Sequence, residues 1–230
     1  MLLAIDTSTR YAGVALADGG RVLEGRCWLS TSNHTGELMP VVADLLLSRD
    51  LAVADLDGIA VALGPGGFSA LRVGVSVAKG LALAARIPLV GVDTLRLEAF
   101  PYRQTGLAVC ALLEAGRGEV ASLCFDRDGV TCRAELICSP QGLLDGIRET
   151  TLFCGEGVAT WEAFIKEQLP RLAVVISPYT PAQRLWSLAE LGQARLAAGE
   201  SSDVVELQPN YLRMPSIGAP KRRDWTPQQS

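Results

Sequence analysis

The apolar positions of this chain follow two periods, which predict an alternation of strands and helices. Short apolar runs that end in turn residues predict strands, and apolar residues three and four apart predict helices. In the first half the predicted strands are residues 2–6, 11–17, 21–29, 58–63 and 89–92, and the predicted helices are 35–49, 68–86 and 94–100. In the second half the strands are 107–113, 119–125, 130–137, 151–154 and 173–176, and the helices are 140–148, 160–169 and 181–198. Both halves thus contain three consecutive strands and then helix, strand, helix, strand and helix.

The stretch at residues 58–92 predicts the unit around which the first half is organised. A strand runs into a Gly-Pro-Gly-Gly turn, a long helix follows, and Pro88 ends it, which predicts a βαβ crossover with parallel strands. The helix is apolar nearly all the way round, which favours burial on more than one side. Small residues recur every four positions at Ala70, Gly74, Ala78 and Ala82, beside a larger row of Val73, Val77 and Leu81. The small row either packs on the helix's own sheet or receives another chain.

The repeated element order predicts an α/β fold of two stacked lobes. It resembles the duplicated actin, hexokinase and Hsp70 ATPase fold, in which ribonuclease H-like lobes hold a nucleotide between them. We expect residues 1–103 to form the N-terminal lobe and residues 104–215 to form the C-terminal lobe. Residues 216–230 are expected to be a flexible tail, which carries the basic cluster Lys221, Arg222 and Arg223.

Composition and charge narrow the class of protein. The chain has 230 residues, 49% hydrophobic and 20% charged, which is typical of a globular protein with a sizeable core. The net charge of -4 argues against unaided nucleic-acid binding, which depends on lysine and arginine. No uninterrupted apolar run is as long as a membrane span, because Arg72, Lys79 and Arg86 interrupt the most apolar segment. The N-terminus does not resemble a signal peptide, so we expect a cytoplasmic protein.

The residue inventory excludes several kinds of catalytic site. His34 is the only histidine, so neither a histidine-pair metal site nor a Ser-His-Asp triad with further histidines can be assembled. The six cysteines show no CxxC pairing and are expected to be reduced, mostly buried thiols. Ser76 and Lys79 have the SxxK spacing of penicillin-binding enzymes, but Ser76 lies two turns inside a predicted helix. We therefore expect no catalytic residue and no metal site.

Two turns have residues suited to phosphate binding. Asp6, Thr7 and Ser8 follow the first strand, where the superfamily places its first phosphate loop, and they offer a carboxylate, hydroxyls and amides. Glu114 and Arg117 lie at the corresponding turn of the second half. These five residues either form a vestigial nucleotide site or are ordinary polar turns.

Several segments together resemble one protein family. They are LLAIDTSTRYAGVAL at the N-terminus, HTGELMPVVADLL, the stretch DGIAVALGPGGFSALRVGVSVAKGLALAARIPLVGVDTL, the GRGEV turn and PNYLR at residues 209–213. The chain is similar in these segments to the TsaB family, also called YeaZ, a bacterial component of the machinery that makes N6-threonylcarbamoyladenosine in tRNA. The resemblance covers the first hundred residues densely and the second half thinly.

The resemblance implies a non-catalytic subunit, an inactive paralogue of the catalytic subunit TsaD that activates it for threonylcarbamoyl transfer to adenosine 37 of tRNAs reading codons that begin with A. It further implies that the helices of the first half dock on TsaD and that the ATPase TsaE joins the complex. The implied partner contacts are Leu38, Val42, Leu45, Phe68, Ala70, Leu71, Gly74, Ala78 and Ala82. The free protein is expected to form a homodimer through the same surface.

The remaining expectations concern ligands and rival functions. The resemblance implies no cofactor of the chain's own, with ATP or ADP at the interface of the complex and with tRNA reached indirectly through the partner. Gly67, Ser69, Ala70 and Glu114 depart from the usual residues of the family and weaken the case for an active nucleotide site. A small-molecule kinase or ATPase of the same superfamily is the first alternative function. A glycopeptidase is the second, although it would need a metal site or nucleophile that the sequence does not offer.

Overall fold

The first of two mixed sheets is built from the N-terminal half of the chain. The structure, a computed structural model, describes residues 1–30 and 34–213, so the predicted basic tail lies outside the described residues. The strands are β1 (Leu2–Asp6), β2 (Tyr11–Asp18), β3 (Arg21–Leu29), β4 (Gly58–Gly64) and β5 (Leu89–Asp93). Their order in the sheet is β3-β2-β1-β4-β5. β1 is antiparallel to β2 and parallel to β4, as the hairpin and the βαβ crossover predict.

The second sheet repeats this topology. Its strands are β6 (Ala108–Gly116), β7 (Glu119–Phe125), β8 (Thr131–Cys138), β9 (Thr151–Cys154) and β10 (Ala173–Val175). The order β10-β9-β6-β7-β8 is that of the first sheet written from the opposite edge, with the same parallel and antiparallel pairs. The internal repeat predicted from the element order is therefore confirmed, and the fold is the two-lobed one of the actin-like ATPases.

Six α-helices cover the two sheets over the described ranges 1–30 and 34–213. They are α1 (His34–Leu47), α2 (Phe68–Ala85), α3 (Thr94–Ala99), α4 (Pro140–Leu144), α5 (Val158–Gln168) and α6 (Pro181–Ala197). Most ends lie within two residues of the prediction, but α4 ends four residues early. Thr180 is the N-cap residue of α6, yet its side chain makes no capping hydrogen bond.

The helices pack in layers. α1 and α2 lie side by side on one face of the first sheet, and α6 covers the opposite face. α4 and α5 cover one face of the second sheet, while α3 packs against its other face and also contacts α6. α3 and α6 thus form a central layer, in which α6 comes from the second half of the sequence but packs on the first sheet. The lobe boundary at residues 103 and 104 stays a prediction, and α6 crosses it in space.

The C-terminal segment, residues 202–213, returns to the first lobe and connects it to the second. Lys79 on α2 donates to the carbonyls of Val205 and Leu207, at 2.9 and 3.0 Å. The side-chain amide of Asn210 donates to Glu135 in the second lobe at 2.7 Å, and its backbone amide donates to the carbonyl of Leu63 in the first lobe. The PNYLR motif therefore has a structural role in joining the lobes.

α2 has the length and apolar composition of a membrane-crossing helix, which differs from our expectation from the sequence. It is the single such helix in the part of the chain that the structure describes. One side of α2 contributes Val75, Ala78 and Ala82 to the buried core between the helix and the first sheet. Core helices of globular proteins commonly have this composition, since apolar residues on several sides meet both a sheet and a neighbouring helix.

Candidate functional site

A cavity of about 380 Å³ lies between the two lobes, where the turn after β1 faces the second sheet. Its lining combines polar side chains with glycine and alanine residues of the turn before α2 and of its first turn. The lining residues are Ser8, Thr9, Arg10, Ser30, His34, Gly66, Gly67, Ala70, Leu113, Glu114 and Glu156. The cavity lies where this fold places a nucleotide. Its geometry therefore shows whether the residues predicted to bind phosphate are available for that role.

Both carboxylate oxygens of Asp6 already have partners within the chain. Oδ1 accepts from the backbone amide of Ser8 at 2.9 Å and from its hydroxyl at 2.7 Å. Oδ2 accepts from Nε of Arg184, and both side chains are almost completely buried. The carboxylate that would hold a metal-bound water is thus neutralised by a guanidinium from α6.

Arg184 is the centre of a buried polar network in the central layer. Its Nη1 contacts Glu98 at 3.0 Å and the hydroxyl of Tyr179 at 2.8 Å, while Nη2 donates to the hydroxyl of Thr9 and the carbonyl of Tyr11, both at 3.0 Å. These contacts and the bond to Asp6 use the planar, fork-like donors of arginine, which lysine could not reproduce. The network fixes α6, α3 and the turn after β1 relative to one another.

The electrostatics of the network follow from burial. Burial raises the pKa of Glu98, although Arg184 and the hydroxyl of Tyr179 oppose this shift. Burial also raises the pKa of Tyr179. It would lower the pKa of Arg184, but Asp6, Tyr179 and Glu98 outweigh it and hold that pKa well above its usual range. Arg184 therefore stays charged and stabilises Asp6, whereas the ionised form of Glu98 is disfavoured.

Glu156 extends the network to the second lobe. It lies in the turn before α5 and lines the cavity, where its Oε1 accepts from Nε of Arg10 at 3.2 Å. Its Oε2 lies 3.8 Å from Nη1 of Arg184 and has no hydrogen-bond partner among the described residues. The cavity therefore contains two carboxylates, Glu114 and Glu156, and one cation, Arg10, which is already paired.

The residues of the cavity do not fit a metal-bound nucleotide held by this chain alone. Asp6 has no free oxygen for a metal-bound water, and the carboxylates outnumber the cations of the lining, which repels polyphosphate. Thr7 is also committed, because its hydroxyl donates to the carbonyl of Ala70 at 2.7 Å. The prediction that Asp6, Thr7 and Ser8 bind a cofactor is not supported by this geometry, since their polar groups satisfy one another and the core.

The two predicted residues of the second turn lie in different surroundings. Glu114 lines the cavity and accepts a hydrogen bond from Thr160. Arg117 is exposed at the tip of the β6–β7 hairpin, with a φ of 56° between Gly116 and Gly118. Arg117 is not among the residues that line the cavity, so the expected pairing of an acid and a base around phosphate does not form.

The glycine-rich turn before α2 serves close packing. An added Cβ on Gly66 would lie 1.9 Å from the carbonyl oxygen of Ser8, and the amide of Gly67 donates to the same carbonyl at 2.8 Å. Only glycine permits this approach of two backbones. The turn after β1 and the start of α2 are therefore held together by direct backbone contact.

Most of the expected partner contacts are buried inside the chain. Leu38, Val42 and Leu45 on α1 belong to the core, and so do Leu71 and the whole small row Ala70, Gly74, Ala78 and Ala82 on α2. A Cβ on Gly74 would lie 2.3 Å from Oγ1 of Thr7. Of the two interpretations of this row, the structure shows packing within the chain, because the row gives α2 its close approach to the end of β1. Phe68 is partly buried and packs on Tyr211, with ring centroids 4.8 Å apart.

A second row of small residues, which the sequence reasoning missed, faces solvent on α2. Ser76, Gly80 and Ala84 are exposed, and a Cβ added to Gly80 would have no atom within 4 Å. Large apolar side chains are also exposed on the two helices, including Leu83 on α2, which is 58% exposed, and Met39 on α1, which is 41% exposed. We call these five residues the outer face of the helix pair. Its spacing is visible in the sequence, but the choice between the two rows needs the sheet.

Fold and site together define a class: proteins with the two-lobed actin-like ATPase fold in which an internal arginine neutralises the first acid of the cleft. Comparison with known proteins identifies the family of the chain. A family model described as TsaD, tRNA N6-adenosine threonylcarbamoyltransferase, matches residues 29–217. The TsaB protein of Bacillus subtilis is 30% identical over 222 residues, 93% of this chain and 94% of that protein. The chain belongs to the TsaB (YeaZ) family of tRNA threonylcarbamoyladenosine biosynthesis proteins.

Further relatives agree with this assignment. TsaB of Escherichia coli is 37% identical over 129 residues, a match that spans 55% of each chain. The solved structure of YeaZ from Pseudomonas aeruginosa has a TM-score of 0.74 and 30% identity, and it covers 92% of this chain and 99% of that one. Component A of the (R)-2-hydroxyglutaryl-CoA dehydratase of Acidaminococcus fermentans has a TM-score of 0.54 at 10% identity, covering 85% of this chain and 98% of that one, and so shares the fold alone.

Proposed function

We propose that this chain is a non-catalytic partner subunit that binds TsaD and activates it for transfer of the threonylcarbamoyl group to adenosine 37 of tRNAs reading codons that begin with A. The observation that carries the proposal is the internal pairing of Asp6 with Arg184, which leaves the cleft without its metal-binding acid. A protein with this fold and without that acid is better suited to assembly than to phosphoryl transfer. Membership of the TsaB family supports a role in the biosynthesis of threonylcarbamoyladenosine in tRNA.

The outer face of the helix pair is the surface that suits the partner. It consists of Ser76, Gly80 and Ala84 with Leu83 and Met39, so small residues allow a partner helix to approach and large apolar ones supply area to bury. Charged side chains are absent from these five positions, which lowers the desolvation cost of docking. The face replaces the buried row as the proposed contact.

The complex brings the remaining components. TsaE joins it, ATP or ADP binds at its interface, and tRNA is held mainly by TsaD, because this chain has a net charge of -4. The free chain buries the same outer face in a symmetric homodimer. The complex works in the cytoplasm, where its tRNA substrate is found.

A pair of leucine substitutions tests the proposal. Gly80→Leu places a bulky side chain on the outer face without touching the chain's own atoms, whereas Ala194→Leu adds the same side chain to an exposed position of α6. Gly80→Leu should weaken binding to TsaD about tenfold or more, since overpacking a close helix contact costs about 1–3 kcal/mol. The readouts are light scattering of the mixed proteins and threonylcarbamoyl transfer to tRNA by TsaD.

The two variants separate the possible results. Ala194→Leu should bind and activate like the unsubstituted chain. Gly80→Leu should also lower self-association of the free chain without lowering its melting temperature. If a folded Gly80→Leu protein binds and activates TsaD normally, the outer face is not the contact. If the unsubstituted chain neither binds TsaD nor increases its activity, the proposed function itself is wrong.

A further inference from the structure

Two buried cysteine thiols in the second lobe touch each other. Cys110 on β6 and Cys124 on β7 are direct partners in the antiparallel register, and their sulfur atoms lie 2.6 Å apart. This distance is about 0.5 Å longer than a covalent S–S bond. Neither thiol has a role in the cleft or on the outer face of the helix pair, so the proposed function does not account for the contact.

One of the two thiols lies at the edge of a surface cavity. Cys124 borders a surface cavity of about 220 Å³ on the outer side of the sheet, which Arg133 and Arg148 also line. Cys110 is completely buried behind Cys124. The exposed Cys132 lines the same cavity, so a reagent that enters it meets Cys132 and Cys124, whereas Cys110 is fully enclosed.

The surroundings shift the pKa values of the two thiols in opposite directions. The hydrogen bond from Cys110 lowers the pKa of Cys124, and the nearby charge of Arg133 adds to this effect against burial. The same hydrogen bond and burial raise the pKa of Cys110 well above its usual range. The lowered pKa favours Cys124 as the attacking sulfur, and Cys110 lies beside it where a resolving partner would be needed.

We propose that Cys110 and Cys124 are a peroxide-oxidised dithiol, which closes to a cross-strand disulfide between β6 and β7. The Cys124 thiolate attacks one oxygen of hydrogen peroxide, the O–O bond breaks, and the departing hydroxide takes the thiolate's former proton to form water. The sulfur of Cys110 then attacks the sulfur of the sulfenic acid and the S–O bond breaks. The hydroxyl leaves with the proton of the Cys110 thiol as a second water, and the S–S bond is formed. Two thiols and one peroxide thus give one disulfide and two waters.

The bond would clamp the hairpin that carries Glu114 and Arg117. It closes the loop between two neighbouring strands of the second sheet and reduces the freedom of the unfolded chain. The oxidised protein should therefore melt at a higher temperature than the reduced protein, and a thiol reductant such as dithiothreitol should reverse the shift.

Peptide mapping gives a direct test on the full chain. Trypsin cleaves after Arg103, Arg117 and Arg127, so Cys110 and Cys124 fall in the separate peptides 104–117 and 118–127. The reduced protein is treated with a small excess of hydrogen peroxide, its remaining thiols are blocked, and it is digested. We expect these two peptides joined by a reductant-sensitive bond, and a fall in free thiols from six to four under denaturing conditions.

Matched serine variants give the controls. Cys124→Ser and Cys110→Ser should each abolish the joined peptide, whereas Cys27→Ser and Cys132→Ser, at exposed cysteines, should keep it. Circular dichroism verifies that each variant is folded, and the mapping of the unsubstituted chain stands by itself if a core variant is not. The proposal is overturned if the joined peptide contains Cys132 in place of Cys110, or if the exposed cysteines are oxidised while peptides 104–117 and 118–127 keep free thiols.

Discussion

Nε of Arg184 donates to the carboxylate of Asp6 across 178 residues of sequence. This contact joins the first turn of α6 to the end of the first strand and completes a network that also contains Glu98 and Tyr179. Because both charges are buried, neither can be removed alone without leaving the other uncompensated. The contact is therefore important for stability and determines what the cleft can bind.

Replacing the arginine should destabilise the fold strongly. We expect Arg184→Met to lower the free energy of unfolding by about 3–5 kcal/mol, because the buried carboxylate of Asp6 loses its counter-charge and Glu98 loses a hydrogen-bond donor. Urea denaturation followed by circular dichroism measures the change. The triple variant Arg184→Met, Asp6→Asn, Glu98→Gln should recover a large part of the loss, since the buried charges are then gone. A loss below about 1 kcal/mol for Arg184→Met would contradict this account of a buried ion pair.

The stability contributed by Glu98 should depend on pH. Its pKa is raised in the folded protein, mainly by burial, so the proton binds more tightly to the folded than to the unfolded chain. The resulting stabilisation is fully present below the pKa of the unfolded chain and is lost as pH rises through the folded pKa, by at most about 1.4 kcal/mol per pH unit.

Glu98→Gln removes this dependence. The free energy of unfolding of Glu98→Gln minus that of the unsubstituted chain should increase as pH rises from 5 to 8, measured by urea denaturation at each pH. Glu162→Gln, at a partly exposed side chain paired with Lys166, serves as the control and should show no such trend over that range. A difference that stays constant or falls for Glu98→Gln would show that Arg184 dominates burial at this position.

The two glycines of α2 should respond in opposite directions to the same substitution. Gly74→Leu drives a side chain into Thr7 and should destabilise the protein by about 1–3 kcal/mol or more. Gly80→Leu meets open space and should stabilise it slightly, by about 0.5–1 kcal/mol, because leucine forms helix better than glycine. Thermal unfolding of both variants and of the unsubstituted chain measures these changes in stability. Equal effects would mean that the two rows do not differ in burial.

The single histidine should be dispensable for tRNA modification. His34 begins α1 and lines the interlobe cavity, but its Nε2 has no hydrogen-bond partner among the described residues. We expect His34→Ala to keep TsaD-dependent modification within about twofold, a change of about 0.4 kcal/mol in barrier. ATP turnover by the isolated unsubstituted chain should equal the background. A stably folded His34→Ala protein without activity in the complex would assign the histidine a catalytic part.

Much of the fold is contained in local sequence patterns. Strand and helix order, the duplication and the family assignment follow from apolar period, turn residues and the PNYLR and GPGG motifs, because each depends on neighbours a few positions away. The sequence also limits the expected kinds of site. One histidine cannot form a histidine-pair metal site, and the six cysteines have no CxxC spacing. The strand bounds agree within a few residues because buried strands such as β1 and β4 are apolar throughout and the other strands end at turn residues.

The tertiary structure alone decided which groups meet. Nothing near Arg184 in the sequence indicates that this helix residue is buried against Asp6, because the carboxylates come from β1 and α3. The two small rows of α2 have the same spacing of four, and the sequence cannot choose between Gly74 and Gly80. The sheet makes the choice, since β1 and its following turn approach one side of the helix and exclude any side chain there, while the other side stays open to a partner.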